Sequence, residues 1–362
     1  MTTITTASQQ WASRSADERF LSLPDMAAFM ANIRANSRST VVSSRIINAQ
    51  PEEDNKGLKI VGPNGHAYAP THWSFGQLAQ LAEAPAGYLR SMPSPIAADC
   101  LNYGLQYKRA VEDVGVLLYR NGGDPVASAF TGPNYGRIWN GEVVEGLMQR
   151  FGDGVSGDWR VPGEFKQAVT ITKENTTLYA SDRDMFVFLA DEKNRIEIPN
   201  RRDGQPGSFA RGFYVWNSEV GSATLGLAAF LFDYVCCNRM IWGAEQFQEI
   251  RIRHTAGAPD RYLEEVAPVL TAYAQGSSAP VVKLIEDARA KRLDNVDAFL
   301  AGRFGKRMVE SIKATHAQEE GRPIETLWDV SVAVTAAARA IPNQDRRVDL
   351  ERQAGEVLAL AA

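Results

Sequence analysis

The stretch Gly-Phe-Tyr-Val-Trp-Asn-Ser-Glu-Val-Gly-Ser-Ala-Thr-Leu-Gly-Leu-Ala-Ala-Phe-Leu-Phe-Asp-Tyr occupies residues 212–234 and carries the most distinctive pattern of the 362-residue chain. Aromatic and β-branched residues at 209–216 predict a strand. Polar residues followed by a glycine at 217–221 predict a turn. The apolar run at 225–234 predicts a buried helix, so the whole stretch is interpreted as strand, turn and helix.

The turn itself predicts a structural role. Asn217 or Ser218 would cap the following helix, because short polar side chains accept hydrogen bonds from the first free N–H groups of a helix. Glu219 would lie in the first helical turn, where the helix dipole favours a negative charge. Gly221 would end the turn, and Asn238 would follow the helix.

On the N-terminal side of this stretch, the pattern alternates between helical and extended periods. Residues 21–34 predict a helix, and residues 38–48 and 58–60 predict strands. A unit of three short helices is expected between residues 74 and 105, with Ser74 as the N-cap of the first.

The middle of the chain is rich in strand patterns. Residues 114–118 and 126–130 are apolar and β-branched, and the Asn-Gly-Gly-Asp sequence between them predicts a hairpin. Residues 141–151 return to helical spacing. The remaining predicted elements are strands at 167–172, 177–180 and 185–190, and polar loops at 191–194 and 201–205.

After residue 256 the spacing is helical to the end of the chain. Because the strands occur in runs joined by short turns, the sequence predicts an α+β fold with a mostly antiparallel sheet packed with helices, followed by an all-helical C-terminal region. The expected organisation is a flexible tail at 1–15, a mixed core domain at 16–256 and a helical region at 257–362.

Composition limits the partners and the location. The chain has 39 basic and 43 acidic side chains and a net charge of −4, whereas a dedicated duplex-binding domain is strongly basic. Any nucleic-acid surface must therefore be a local patch. Three cysteines, two of them adjacent, make a poor disulfide framework. With no signal peptide and no apolar run of about 20 residues, we expect a cytoplasmic protein without a membrane span.

The usual catalytic patterns are absent from the sequence. The four histidines lack zinc-ligand spacing, and neither a nucleophile elbow nor a phosphate-binding loop occurs. We therefore assign no catalytic residue, no metal and no cofactor. Asp182, Asp184, Asp191 and Glu192 are the acidic group that could hold magnesium, although a turn between two strands accounts for the same residues.

Basic and aromatic residues interleave between residues 195 and 239. Positive charge with flat aromatic faces is what a single-strand binding groove requires, since it must meet phosphates and bases together. The alternative is a solvated loop beside a strand whose aromatic side chains face the core. The predicted nucleic-acid contacts are Arg195, Arg201, Arg202, Arg211, Tyr214, Trp216 and Arg239.

Residues 212–240 resemble the domain-of-unknown-function 932 family, also described as phage/plasmid-like proteins. In that family a strand ends in Asn-Ser-Glu-Val-Gly, and an apolar helix then leads to Val-Cys-Thr-Asn-Gly-Met. Here residues 235–240 read Val-Cys-Cys-Asn-Arg-Met, so a threonine and a glycine of the family pattern are replaced. Weaker similarities to the family lie at 73–78, 85–89, 129–137, 327–335 and 346–355.

The resemblance implies a protein of phages, plasmids and integrated elements, with a core similar in outline to the single-strand-annealing recombinases of phages. The first hypothesis is a protein that binds or anneals single-stranded DNA in recombination and forms homo-oligomers. The second is a magnesium-dependent enzyme that acts on nucleotides or nucleic acid through Asp182, Asp184 and Glu219. The third is a ligand-free oligomeric assembly protein.

Overall fold

The structure is a computed structural model that describes residues 15–54, 57–62, 65–108, 111–120, 123–162, 170–202, 205–233, 239–240, 250–338, 340–341 and 344–362. Within these ranges only the backbone is described at 108, 200–202, 205–206, 232–233, 239–240 and 344–349. The strands, numbered in chain order, are β1 (Arg19–Phe20), β2 (Ser37–Ser43), β3 (Asn48–Pro51), β4 (Leu58–Val61), β5 (Ala67–Pro70), β6 (Asp113–Tyr119), β7 (Val126–Thr131), β8 (Trp159–Arg160), β9 (Leu178–Ala180), β10 (Met185–Asp191), β11 (Ile196–Arg202), β12 (Gln205–Asn217), β13 (Leu225–Asp233), β14 (Arg239–Met240) and β15 (Ile250–Ile252).

Nine of these strands form one large antiparallel sheet. Its central order is β1-β9-β10-β12-β13-β14, while β8, β11 and β15 pair with β10, β12 and β13. The long β12–β13 hairpin runs in register from the pair of Phe209 and Asp233 to the pair of Trp216 and Gly226. The strand predicted at 209–216 is thus confirmed as the centre of this sheet.

The other six strands form a separate curled sheet in the order β2-β6-β7-β5-β4-β3. The hairpin predicted around the Asn-Gly-Gly-Asp sequence is confirmed as the antiparallel β6–β7 pair. Only β5 and β7 are parallel among the described strand pairs of this sheet. The predicted α+β fold with mostly antiparallel sheets is therefore confirmed.

The α-helices include the predicted ones at 21–34 and 141–151. Their bounds are Leu23–Ala35, His72–Leu81, Ala86–Leu89, Ser94–Tyr103, Asn140–Phe151, Ala258–Arg261, Ala267–Gln275, Ala279–Ala290, Val296–Ala301, Lys306–Glu320, Leu327–Ala338 and Gln344–Ala359. Short 3-10 segments at Ala16–Glu18 and Ser44–Ile46 and π-helical segments at Gly104–Lys108 and Tyr262–Val266 complete the described elements.

The helices divide among three apolar cores. Helices Leu23–Ala35 and Asn140–Phe151, with residues 258–270, cover one face of the large sheet. The short helices between residues 72 and 103 pack on the curled sheet. The helices from residue 279 onward form a further core that also includes Ile196, Ile198 and Phe209 of the large sheet.

The helix predicted at 225–234 is wrong, because residues 225–233 form strand β13. Leu225, Leu227 and Ala229 face the helix-covered core, whereas Ala228 and Phe230 face an aromatic layer on the opposite side of the sheet. A strand that is covered on both faces is apolar at successive positions. Such a run cannot be distinguished from a buried helix by its pattern alone.

Smaller predictions also change. Thr71, rather than Ser74, is the N-cap of helix His72–Leu81, since its hydroxyl accepts the Ser74 N–H at 3.0 Å. In the polar loop predicted at 201–205, Arg201 and Arg202 end β11 and Gln205 begins β12, and Arg202 pairs with Gln205. Of the strand predicted at 167–172, residues 167–169 lie outside the described residues, and residues 170–172 belong to no strand. Among the described helices, none combines the length and apolar character needed to cross a bilayer.

Candidate functional site

Residues 217–221, here called the central turn, connect β12 to β13 and are held by side chains from distant parts of the chain. The Tyr135 hydroxyl donates to the Ser218 carbonyl at 2.8 Å. The Arg137 guanidinium donates to the Glu219 carbonyl at 3.0 Å. These bonds satisfy carbonyl groups that a buried turn would otherwise leave without partners.

The same turn docks the large sheet onto the curled sheet. The Val220 carbonyl accepts hydrogen bonds from the indole of Trp73 at 3.1 Å and from the amide of Gln77 at 2.7 Å. The Val220 side chain packs against Leu117 and Ala129 of β6 and β7. The central turn is thus the point at which the large sheet meets the curled sheet.

Glu219 caps a helix, although a different one from the helix predicted. Its Oε1 accepts the Asn140 backbone N–H at 2.6 Å, and helix Asn140–Phe151 has no capping hydrogen bond from its own N-cap side chain. Asn217 donates to the Ile138 carbonyl and to the Asn140 side-chain oxygen, both at 2.8 Å. The predicted capping of a helix after the turn is therefore wrong, because β13 follows the turn.

Burial is the largest influence on the pKa values of the charged groups at the central turn. Burial raises the pKa of Glu219 to about 7, against the opposing effects of the Asn140 hydrogen bond and of the positive charges of Arg137 and Arg34. Burial also lowers the pKa of the Arg137 guanidinium. With this pKa the Glu219 carboxyl group changes its charge near neutral pH. Only 6% of the residue is exposed, so the change takes place inside the protein.

His254, which follows strand β15, also packs at the central turn. Its ring stacks on Tyr135 with 4.8 Å between the ring centroids, and its Nδ1 lies 3.0 Å from the Gly136 carbonyl. A carbonyl only accepts, so Nδ1 carries the proton. Burial lowers the pKa of this imidazole. The junction is therefore a polar, enclosed structural centre rather than an open binding surface.

The structure buries three of the predicted nucleic-acid contacts. Arg211 is paired with Asp191 at 3.0 Å, and its guanidinium lies over the rings of Trp159 and Tyr273. Tyr214 and Trp216 are each 2% exposed within the aromatic layer of the large sheet. The Arg211 charge is paired and the two aromatic rings are packed inside the protein, so these three residues are not accessible to phosphates or bases.

The remaining predicted contacts have different positions. Arg195 is half-buried and paired with Glu192, with 3.1 Å between Nε and the carboxylate. Arg201 and Arg202 extend β11 and Arg239 begins β14, and their side chains lie outside the described part of the structure. Asn238 is also outside the described residues.

The acidic residues predicted to bind magnesium form separate contacts with other side chains of the protein. The Asp184 carboxylate lies 3.2 Å from the Ser181 hydroxyl in the turn between β9 and β10, which agrees with the turn interpretation. Asp191 pairs with Arg211, and Glu192 pairs with Arg195. Within the described ranges, no group of three or more His, Cys, Asp or Glu side chains is arranged to hold a metal ion.

A cleft of about 480 Å³ opens at one end of the curled sheet. Arg38 and Arg120 line it and are exposed, and in the described part of the structure neither guanidinium forms a hydrogen bond or an ion pair. None of the described lining residues is acidic, which leaves the cleft positive. The lining residues are Ala35, Asn36, Arg38, His66, Tyr68, Leu118, Tyr119, Arg120 and Pro125.

Strand pairing explains how these residues meet. Arg38 of β2 is directly opposite Leu118 of β6, and the Arg120 N–H donates to the Asn36 carbonyl at 3.0 Å. Local sequence pattern does not reveal this cleft, because 82 positions of chain separate Arg38 from Arg120. The available signal was an arginine at one end of each of two predicted strands, but their pairing is non-local.

Comparisons of the chain with protein families, with curated proteins and with solved structures find no match. The resemblance to the domain-of-unknown-function 932 family therefore stays a prediction that rests on the motif residues alone.

Proposed function

We propose that this protein binds single-stranded nucleic acid in the basic cleft of the curled sheet. The observation that carries the proposal is a pair of exposed arginines, Arg38 and Arg120, beside the half-buried rings of Tyr68 and Tyr119. Within the described residues neither guanidinium has a hydrogen-bond or ion-pair partner. Arginines attract phosphates, and tyrosine rings offer faces on which bases stack without regard to sequence.

The shape and charge of the cleft favour a flexible strand over a duplex. A duplex binder presents a broad basic surface, whereas this chain has a net charge of −4 and a local basic patch. A single strand can bend its backbone into a cleft of this size and turn a base toward a ring. Because residues 212–240 also resemble a family of phage and plasmid proteins, we extend the proposal to a role in DNA recombination of a phage or plasmid-type element.

The test compares two double variants that remove the same charge. Wild-type protein is titrated into a short, labelled single strand at low salt, and anisotropy reports binding. Arg38→Ala with Arg120→Ala should weaken binding strongly, because two phosphate contacts are lost. Lys306→Ala with Arg307→Ala removes two exposed charges from a C-terminal helix and should leave binding close to wild type. Absence of wild-type binding, or equal losses in both variants, would rule out the cleft.

We also propose that copies of the chain assemble along a bound strand. Support comes from β2, which has β6 as its single neighbour among the described strands and carries Val41 with 54% of its surface exposed. An exposed strand edge is a template for pairing with another chain. Light scattering with and without single-stranded DNA should show growth on DNA, and a mass unchanged by DNA would contradict this assembly.

A further inference from the structure

An apolar groove of about 190 Å³ lies next to the basic cleft on the same curled sheet. Its floor is made of buried side chains, and none of the described residues that line it is charged. The buried members are Ile47, Ile60, Val116, Ala127 and Phe130.

The groove and the cleft are continuous. Tyr68 and Leu118 line both, and both side chains are half-buried. A ligand that enters from the cleft would therefore pass the Tyr68 ring before it meets the apolar floor. Ligand sites are commonly concave and mostly apolar, with a few polar groups that fix the orientation of the ligand.

Strand register sets the order of groups along the path. Arg38, Thr40 and Val42 are alternate residues of β2 and lie on one face of the sheet, opposite Leu118, Val116 and Val114. Alternate residues of a strand are about 7 Å apart. The path therefore changes from cationic to polar over about 7 Å and is apolar by about 14 Å from Arg38.

We infer that one base of the bound strand enters this groove and stacks on Tyr68, while its phosphate contacts Arg38 and Arg120. This inference rests on the proposed function. The inference depends on the arrangement of a basic cleft beside an uncharged groove, because this arrangement suits an anion that bears a flat, weakly polar group. The hydroxyls of Thr40 and Tyr68, which form no hydrogen bond within the described ranges, are available to the polar edge of the base.

The test compares an intact single strand with an abasic strand of the same length and charge. Wild-type protein should bind the intact strand at least about tenfold more tightly, in line with the usual strength of base stacking on aromatic side chains. Thr40→Trp places a large ring at the groove and should abolish this preference, while salt-sensitive binding to the abasic strand remains. Tyr68→Leu should reduce the preference without filling the groove.

The matched control is Ser39→Trp, which places the same ring on the opposite face of β2, where Ser39 is exposed. This variant should keep the preference for the intact strand. A preference lost equally in the Ser39 and Thr40 variants would reflect a disturbed strand and would overturn the inference.

The possible failures separate the two proposals. Equal wild-type binding of intact and abasic strands would overturn the base pocket and leave in place the binding of the strand in the basic cleft through its phosphates. If wild-type protein binds neither strand at low salt, both proposals fall. Binding of a fatty carboxylate that Thr40→Trp blocks, with no preference for the intact strand, would assign the groove to a lipid and overturn the inference.

Discussion

Glu219 Oε1 accepts a hydrogen bond of 2.6 Å from the backbone nitrogen of Asn140, a residue 79 positions earlier in the chain. Together with the hydrogen bond from Asn217 to the Asn140 side chain, this contact joins the β12–β13 turn to the start of helix Asn140–Phe151. Because the carboxyl group is buried, its protonation and the stability of the fold are linked.

We predict that the contribution of Glu219 to the stability of the wild-type protein decreases as the pH rises through the weakly acidic range. The pKa of Glu219 is about 7 in the folded protein and 4.5 as the ordinary value, so the folded state keeps a proton that the unfolded state releases. The contribution is present below pH 4.5 and is lost by about pH 7, and it amounts to at most about 3 kcal/mol. Glu219→Gln should remove this dependence while its amide oxygen still accepts the Asn140 N–H.

The measurement is urea unfolding at a series of pH values between 4.5 and 8. The control is Glu145→Gln, which changes an exposed glutamate on the same helix and should keep the wild-type pH dependence. A Glu219→Gln variant with the same pH dependence as wild type would show that this carboxyl group does not titrate as we expect.

His254 should act in the opposite direction. Burial lowers its pKa below the ordinary value of 6.5, so the unfolded state takes up a proton at a higher pH than the folded state. The contribution of this group is fully present above pH 6.5 and declines as the pH falls below it. His254→Asn, whose amide can still donate to the Gly136 carbonyl, should lose less stability on acidification than wild type.

The same unfolding series tests this prediction, with His72→Asn as the control because His72 is exposed. If His254→Asn and His72→Asn changed the loss of stability below pH 6.5 equally, the effect could not be assigned to the buried imidazole.

The sequence predicted local features of the fold well and non-local ones poorly. The β6–β7 hairpin follows from the Asn-Gly-Gly-Asp turn between two β-branched runs. The strand β13 was mistaken for a helix, because its environment on both faces comes from other elements. Turns can be predicted from neighbouring residues in the sequence. Whether the second face of a strand is buried depends on elements that are distant in the sequence.

The candidate sites show the same division. The motif segments at 73–78, 129–137 and 217–221 were each recognised as separate stretches, and the structure brings them together at the central turn. The basic cleft was not found, because its two arginines meet only through the pairing of β2 with β6. A high local density of arginine, as near Arg211, did not indicate exposure.

Gly226 is predicted to be intolerant of any side chain. It is directly opposite Trp216 in the β12–β13 pair, and a Cβ at this position would lie 1.8 Å from the indole ring. Because Trp216 is 2% exposed, the ring has no free space to move into. Gly226→Ala should lower the free energy of unfolding by about 1–3 kcal/mol or more through overpacking.

Chemical denaturation measures this loss, and Gly87→Ala is the control. Gly87 lies in a short helix and a Cβ there meets nothing within 4 Å, so alanine should be neutral or slightly stabilising. Full stability of Gly226→Ala would mean that Trp216 does not occupy the space above Gly226.

The buried pair of Arg211 and Asp191 should be far more important to stability than an exposed pair. Both side chains are at most 7% exposed, and removal of one partner leaves a buried charge uncompensated. Arg211→Ala should therefore cost about 3–5 kcal/mol. Lys193→Ala, which breaks an exposed pair with Asp158, should cost no more than about 1 kcal/mol. Similar losses in the two variants, measured by urea unfolding, would contradict the proposed importance of burial.

The salt dependence of binding provides the most direct count of cleft contacts with phosphate. For single strands the slope of log affinity against log salt decreases in magnitude by about 0.7 for each phosphate contact that is lost. Arg38→Ala and Arg120→Ala should each change the slope by about this amount, and the double variant by about twice as much. Thr40→Trp should leave the slope unchanged, because Thr40 carries no charge and lines only the apolar groove. A slope that is insensitive to both arginines would place the phosphate contacts elsewhere on the protein, even if the affinity itself fell.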